Sequence, residues 1–125
     1  MSALSHISAL DRGLAARGQD VILRRISGSG PSATSIDVAC RAVVRGYRPE
    51  ELVGGIAQGD SQVILSPSEI RSSGWPDPGG SPPGTVSLPR KGDKLIVQGR
   101  MRTIEAAAPI QVAGELVRID LQVRG

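Results

Sequence analysis

The residues able to do chemistry are few and scattered along the chain. There is one histidine, His6, and one cysteine, Cys40. A nucleophile with its base, or a metal site, needs several such side chains to converge. His6 has no Cys or second His near it, so it reads as a solvent or packing residue, not a ligand or base. Cys40 falls inside an apolar alternation, which reads as a small buried strand residue, not a reactive thiol, and a single Cys forms no internal disulfide. Glu50 and Glu51 are adjacent carboxylates. Neighbours in sequence do not converge on one substrate, so the pair suits a structural or interface loop better than a general acid and base. Residues 27–32, Ser-Gly-Ser-Gly-Pro-Ser, have the small residues of a phosphate loop but lack its Gly-Lys-Ser/Thr ending and open no helix. No Gly-x-Ser-x-Gly elbow is present. The two aromatic residues, Tyr47 and Trp75, both lie in loop-like stretches. Two are too few for the basic, aromatic-interleaved platform on which single-stranded nucleic acid stacks. The expectation is a chain that is not an enzyme and needs no cofactor or metal.

The composition bounds what must position these residues. A chain of 125 residues is expected to form one domain, 1–125, large enough for a real core. With no Phe, the core must be packed by Val, Ile, Leu and Ala, which suits short strands with β-branched inward positions. The 16 Gly and 9 Pro gather in loops, which predicts long connections. The net charge is +3, but basic residues alternate with acids and apolar residues and form no block, so a dedicated nucleic-acid patch is not indicated. No 18-residue apolar run and no basic-then-apolar leader occurs, so a soluble protein made in a cytoplasm, with no membrane partner, is expected.

Taken in order, Leu4, Ile7, Leu10 and Leu14 recur at spacings of three and four, which predicts an amphipathic helix over 3–17, stopped at Gly18. A strand follows over 20–26. The clearest strand places Ile36, Val38, Cys40, Ala42 and Val44 on one face and Asp37, Ala39, Arg41, Val43 and Arg45 on the other. Residues 46–59 then interrupt the pattern, with Pro49 beginning a helical turn, Glu50 and Glu51 at its N-terminus and Gly54-Gly55 ending it. A strand over 60–65 precedes a helical turn at 68–70. Residues 71–85, with four prolines and repeated Gly and Ser, read as a loop without regular structure. A loop that long is functional or mobile, and Trp75 within it either folds back on the barrel or anchors a partner. Residues 94–97, the Gln98-Gly99 link and residues 100–106 read as a tight hairpin. A turn-rich connector over 109–114 leads to a last strand, where Val117, Ile119, Leu121 and Val123 alternate with Arg118, Asp120, Gln122 and Arg124. The predicted fold is mainly β: a small antiparallel barrel or sandwich over 19–125, with one N-terminal α-helix and long Gly/Pro-rich loops at 46–59 and 71–85.

In this order the segments resemble the head-closure (stopper) or head-tail connector proteins of tailed-phage necks, with relatives in gene transfer agents. The resemblance rests on an early strand at 21–25, a second at 38–47, and Arg48-Pro49-Glu50-Glu51-Leu52 running into Gln58-Gly59-Asp60-Ser61-Gln62-Val63-Ile64-Leu65-Ser66-Pro67. It continues with Lys91-Gly92-Asp93-Lys94-Leu95-Ile96-Val97, a Gly turn, and a closing strand ending Leu121-Gln122-Val123-Arg124-Gly125, and covers most of 19–125. It implies a barrel protomer that assembles as a ring, expected to be a hexamer, in the virion neck after assembly in the host bacterial cytoplasm. The implied partners are further copies of the chain, the portal or adaptor ring, tail-terminator or tail-tube proteins, and packaged double-stranded DNA passing through the lumen. Tyr47, Arg48, Glu50, Glu51, Leu52 and Trp75, in the two long loops, are the candidate interface or lumen residues. A tail-terminator ring and a nucleic-acid-binding β-barrel are the alternative functions.

Overall fold

The computed structural model of the chain describes residues 2–28, 30–47, 49–52, 54, 56, 59–76 and 86–125. Arg48 and the 77–85 part of the second predicted loop lie outside them.

A helix, α1 (Ala3–Arg17), opens the chain. Ser2 caps it, its hydroxyl accepting from the Ser5 N–H at 3.1 Å, and the Gly18 N–H closes it on the Leu14 carbonyl at 2.8 Å. Gly18 is needed for space: a Cβ there would stand 2.5 Å from the Leu14 carbonyl oxygen and 2.7 Å from that of Ala42. Ile7 and Leu14 are buried, but Leu4, predicted on the same stripe, is 71 % exposed. The helix docks through its later turns, and its first turn projects past the surface that they cover.

Six strands follow: β1 (Gln19–Ser27), β2 (Thr34–Gly46), β3 (Ser61–Leu65), β4 (Lys94–Val97), β5 (Arg100–Val112) and β6 (Glu115–Arg124). They close antiparallel in the order β1-β2-β3-β6-β5-β4, so the barrel alternative holds over the sandwich. The inward set is Val21 and Leu23, Val38, Cys40 and Ala42, Val63 and Leu65, Leu95 and Val97, Ile104, and Ile119, Leu121 and Val123, all buried. Alternation along the strands puts one face in this core and the other outside, except in β5 beyond Ile104, where the register shifts and no residue is buried.

The strands differ in length, and the mismatch explains the remaining elements. β3 pairs with β2 only from Ala42 to Gly46, which leaves the earlier part of that β2 edge without a strand. A second helix, α2 (Ser68–Ser73), and the residue after its cap fill that place. The Glu69 carboxylate accepts from the Arg41 backbone N–H at 2.7 Å, and the Trp75 indole N–H donates to the Ile36 carbonyl at 2.8 Å. Arg41 also donates to the Leu14 and Ala15 carbonyls, at 3.0 and 3.2 Å, satisfying the C-terminal end of α1.

Two predicted boundaries are corrected. Helix α2 runs through Arg71, Ser72 and Ser73 before Gly74 ends it in the left-handed region, so the loop-like composition from 71 onward does not prevent helix there. β5 runs on through Pro109 to Val112, and the predicted connector shrinks to the two-residue turn Ala113-Gly114, both with positive φ. Pro109 is tolerated because β4 pairs with β5 only as far as Thr103, so this part of β5 pairs with β6 alone. The hairpin turn at Gln98-Gly99 is as predicted, with φ of 53° and 79°.

Candidate functional site

The residues first considered for chemistry are held apart. Cys40 is buried in the core, and burial, then the Glu69 charge, push its thiol up to about 12, which keeps it protonated and unreactive. His6 is half-buried on α1 and lines a cavity with Leu10, Ile110, Val112, Val117 and Arg118. Among the described residues no three of the His, Cys, Asp and Glu side chains group as a metal set would.

The loop candidates are placed as follows. Pro49–Glu51 form a single 3-10 turn, closed by the Leu52 N–H on the Pro49 carbonyl at 3.2 Å. Glu51 pairs with Arg45, at 3.1 and 3.2 Å, while Glu50 faces solvent, so the two carboxylates do not converge. Tyr47 is half-buried, with the Arg45 guanidinium 6.0 Å from its ring centre. Burial first, then the Asp60 charge, raises its phenol. It walls a groove with Gln62, Ala106, Ala108, Asp120 and Gln122, away from Trp75. Trp75 is 1 % exposed and part of the core. Of the two expectations for it, the folded-back one is observed, and its ring offers no face to a partner.

What the chain presents outward is a band on the barrel wall. The register places Ala39 beside Ile22, Ile22 beside Ile96, and Ile96 beside Met101, across β2, β1, β4 and β5. Ile22 is 36 % exposed and Met101 46 %. The parallel row, Asp37, Arg24, Lys94 and Thr103, is polar and satisfied within itself. Arg24 grips Asp37 at 2.8 and 2.9 Å, and the Lys94 ammonium donates to the Thr103 hydroxyl at 2.9 Å. Sequence reading found these strands without assigning this band. The signal was present, since Ile22 falls between the inward Val21 and Leu23, but no single strand says which outward residues line up across four.

Each mouth of the barrel holds an inward-phase arginine. At one mouth Arg25, on the face of β1 that carries Val21 and Leu23, donates through Nε and Nη2 to the two Asp93 oxygens at 3.0 and 2.9 Å. It also reaches the Leu88 carbonyl at 3.3 Å and lies 4.8 Å from the Trp75 ring centre. Asp93 further accepts from the Arg90 backbone N–H at 3.0 Å. At the other mouth the register sets Arg102 opposite Leu95 and Arg100 opposite Val97, so both arginines share the inward face of the core residues. Arg102 reaches the Ser61 hydroxyl at 2.9 Å and the Gly59 carbonyl at 3.1 Å. Just outside, Asp60 is 4 % exposed and ties β3 to β6, accepting from Arg124 at 2.8 and 2.9 Å and from Gln122 at 2.8 Å.

Compared with protein-family models and with curated proteins, the chain matches none, so the barrel, its outer band and its two mouths carry the functional reading.

Proposed function

We propose that the chain is a structural ring subunit of a tailed-phage neck, a head-closure or head-tail connector protein that seals the packaged head beneath the portal or adaptor and offers the tail its docking surface. The observation that carries the assembly role is the band of Ala39, Ile22, Ile96 and Met101. An apolar row on a closed, internally braced wall is the kind of surface that subunits bury against one another. In the bordering row Arg24 is paired with Asp37 and the Lys94 ammonium is held by the Thr103 hydroxyl, so burying the band leaves both bordering cations with a partner in the chain, which suits contact with a second copy. The neck assignment rests on the resemblance in segment order, from the early strand at 21–25 to the closing strand at its end.

The ring is tested by mass. The protein measured alone and with a portal complex should give a closed oligomer in at least one case, and Ile22→Lys with Met101→Lys should leave folded monomer only. A monomer under both conditions overturns the ring. The neck role is tested in a lysate lacking the protein, which should contain packaged heads that leak DNA and carry no tails. Normal infectious particles would end the proposal, and overlong tail tubes would replace it with a tail-terminator role.

A further inference from the structure

We infer that the mouth of the barrel lined by Arg100 and Arg102 binds an oxyanion of the phosphate class. An inward strand position next to core residues calls for an apolar side chain, and two of them here carry guanidinium groups. Arg102 is half-buried, and the acceptors that hold it, Ser61 and Gly59, are both neutral. Its Nε is buried without a hydrogen-bond partner among the described residues. Arg100 is exposed and, like Arg102, makes no ion pair among them. The acids at the adjoining strand ends form their ion pairs with Arg124, Asp60 at 2.8 Å and Glu105 at 3.4 Å, and not with Arg100 or Arg102.

A half-buried cation held only by neutral acceptors is a costly arrangement that a bound anion relieves. There is room for one: Val97, Gln98, Arg100 and Arg102 line a cavity of about 270 Å³ at the hairpin turn. Guanidinium donors spaced two residues apart on one strand face suit a phosphate, whose oxygens accept charge-assisted hydrogen bonds in forked geometry. Two sources share that chemistry, a free phosphate and the backbone of a nucleic acid. The second rests on the neck reading, in which this mouth would be the part of the subunit turned toward DNA; the first is independent of it.

The full-length protein is titrated at low salt with inorganic phosphate, following the backbone amide resonances of residues 97–102. Saturable shifts there are expected, weakened about tenfold or more by Arg100→Gln and by Arg102→Gln and unchanged by Arg12→Gln on α1. Since Arg100 is exposed, its variant keeps the fold whatever Arg102→Gln does, and Arg102→Lys should restore part of the affinity. In a parallel arm, a labelled 20-base-pair duplex is followed by anisotropy against salt. Loss of about one unit of salt slope per arginine removed identifies nucleic acid as the source. Phosphate binding without duplex binding identifies a free oxyanion. No saturable effect of phosphate, or equal affinity in the parent and both glutamine variants, overturns the site. Ring formation is read separately by mass, so either proposal can fail alone.

Discussion

The two mouths of the barrel pose the same physical problem and answer it differently. Each turns an arginine onto the face that forms the core. At the first, Arg25 meets both oxygens of Asp93, a backbone carbonyl and the face of Trp75, and Asp93 is in turn held by the Arg90 N–H. At the second, Arg102 meets a hydroxyl and a carbonyl, with one N–H left over. Where a charge serves the fold, the fold supplies its counter-charge. Where no ion pair is formed among the described residues, an anion from outside the fold is the proposed partner.

The largest effect should come from breaking the compensated mouth. Asp93→Ala leaves Arg25 half-buried and without its acid, and should lower stability in urea unfolding by about 3–5 kcal/mol. The matching change at the other mouth, Arg102→Met, removes a charge that has no acid partner among the described residues. It should leave stability within about 1 kcal/mol of the parent or raise it, while abolishing the phosphate response. Equal losses in the two variants would erase the distinction between the mouths.

Cys40, in the core of the barrel, gives a second reading of the same contrast. Its modification by a thiol reagent should be slow in the native protein and follow the population of open molecules. Asp93→Ala should speed it roughly a hundredfold to several thousandfold, as its stability loss requires, and Arg102→Met should not. The thiol also sets an alkaline limit. Its pKa is raised on folding, so its contribution is fully present below the unfolded value of 9.0 and is lost as pH rises toward about 12. Cys40→Ala should flatten that limb in a stability profile against pH.

The smallest effect lies on the outer wall. The hydrogen bond from Arg24 holds the Asp37 carboxyl below its ordinary value, against a partly opposing desolvation. A depressed carboxyl adds stability above its unfolded value that is lost as pH falls through the folded one. Asp37→Asn should therefore trim the acid limb only slightly, since the pair is well exposed and screened. A change as large as that of Asp93→Ala would mean that the wall, and not the mouths, braces the barrel.

Much of this architecture was legible in advance. The spacing of Ile7, Leu10 and Leu14 marked α1, the alternation of Val117, Ile119, Leu121 and Val123 marked β6, and Gln98-Gly99 marked the hairpin turn, because each pattern is complete within one element. Pro109 hid the second half of β5, because whether a proline harms a strand depends on which edge its missing N–H faces. The loop-like composition from Arg71 onward hid the end of α2, because that helix is held by Glu69 and Ile70 against the β2 edge that β3 leaves open.

The candidate site was less legible. The Gly/Pro-rich composition of the two loops pointed to interface residues there, but Trp75 is core and Glu51 is paired with Arg45. The sequence by itself determined most of the strands, their faces, the mainly β class and the scarcity of reactive groups, since local periodicity and composition suffice for these, while closure into a barrel and not a sandwich came from the structure. Only the tertiary structure decided that Ile22, Ile96 and Met101 share one outer row, that Arg25 has an acid beside it, and that Arg100 and Arg102 pair with none among the described residues. Those facts depend on register between strands distant in sequence, and register is settled by closing the whole barrel at once.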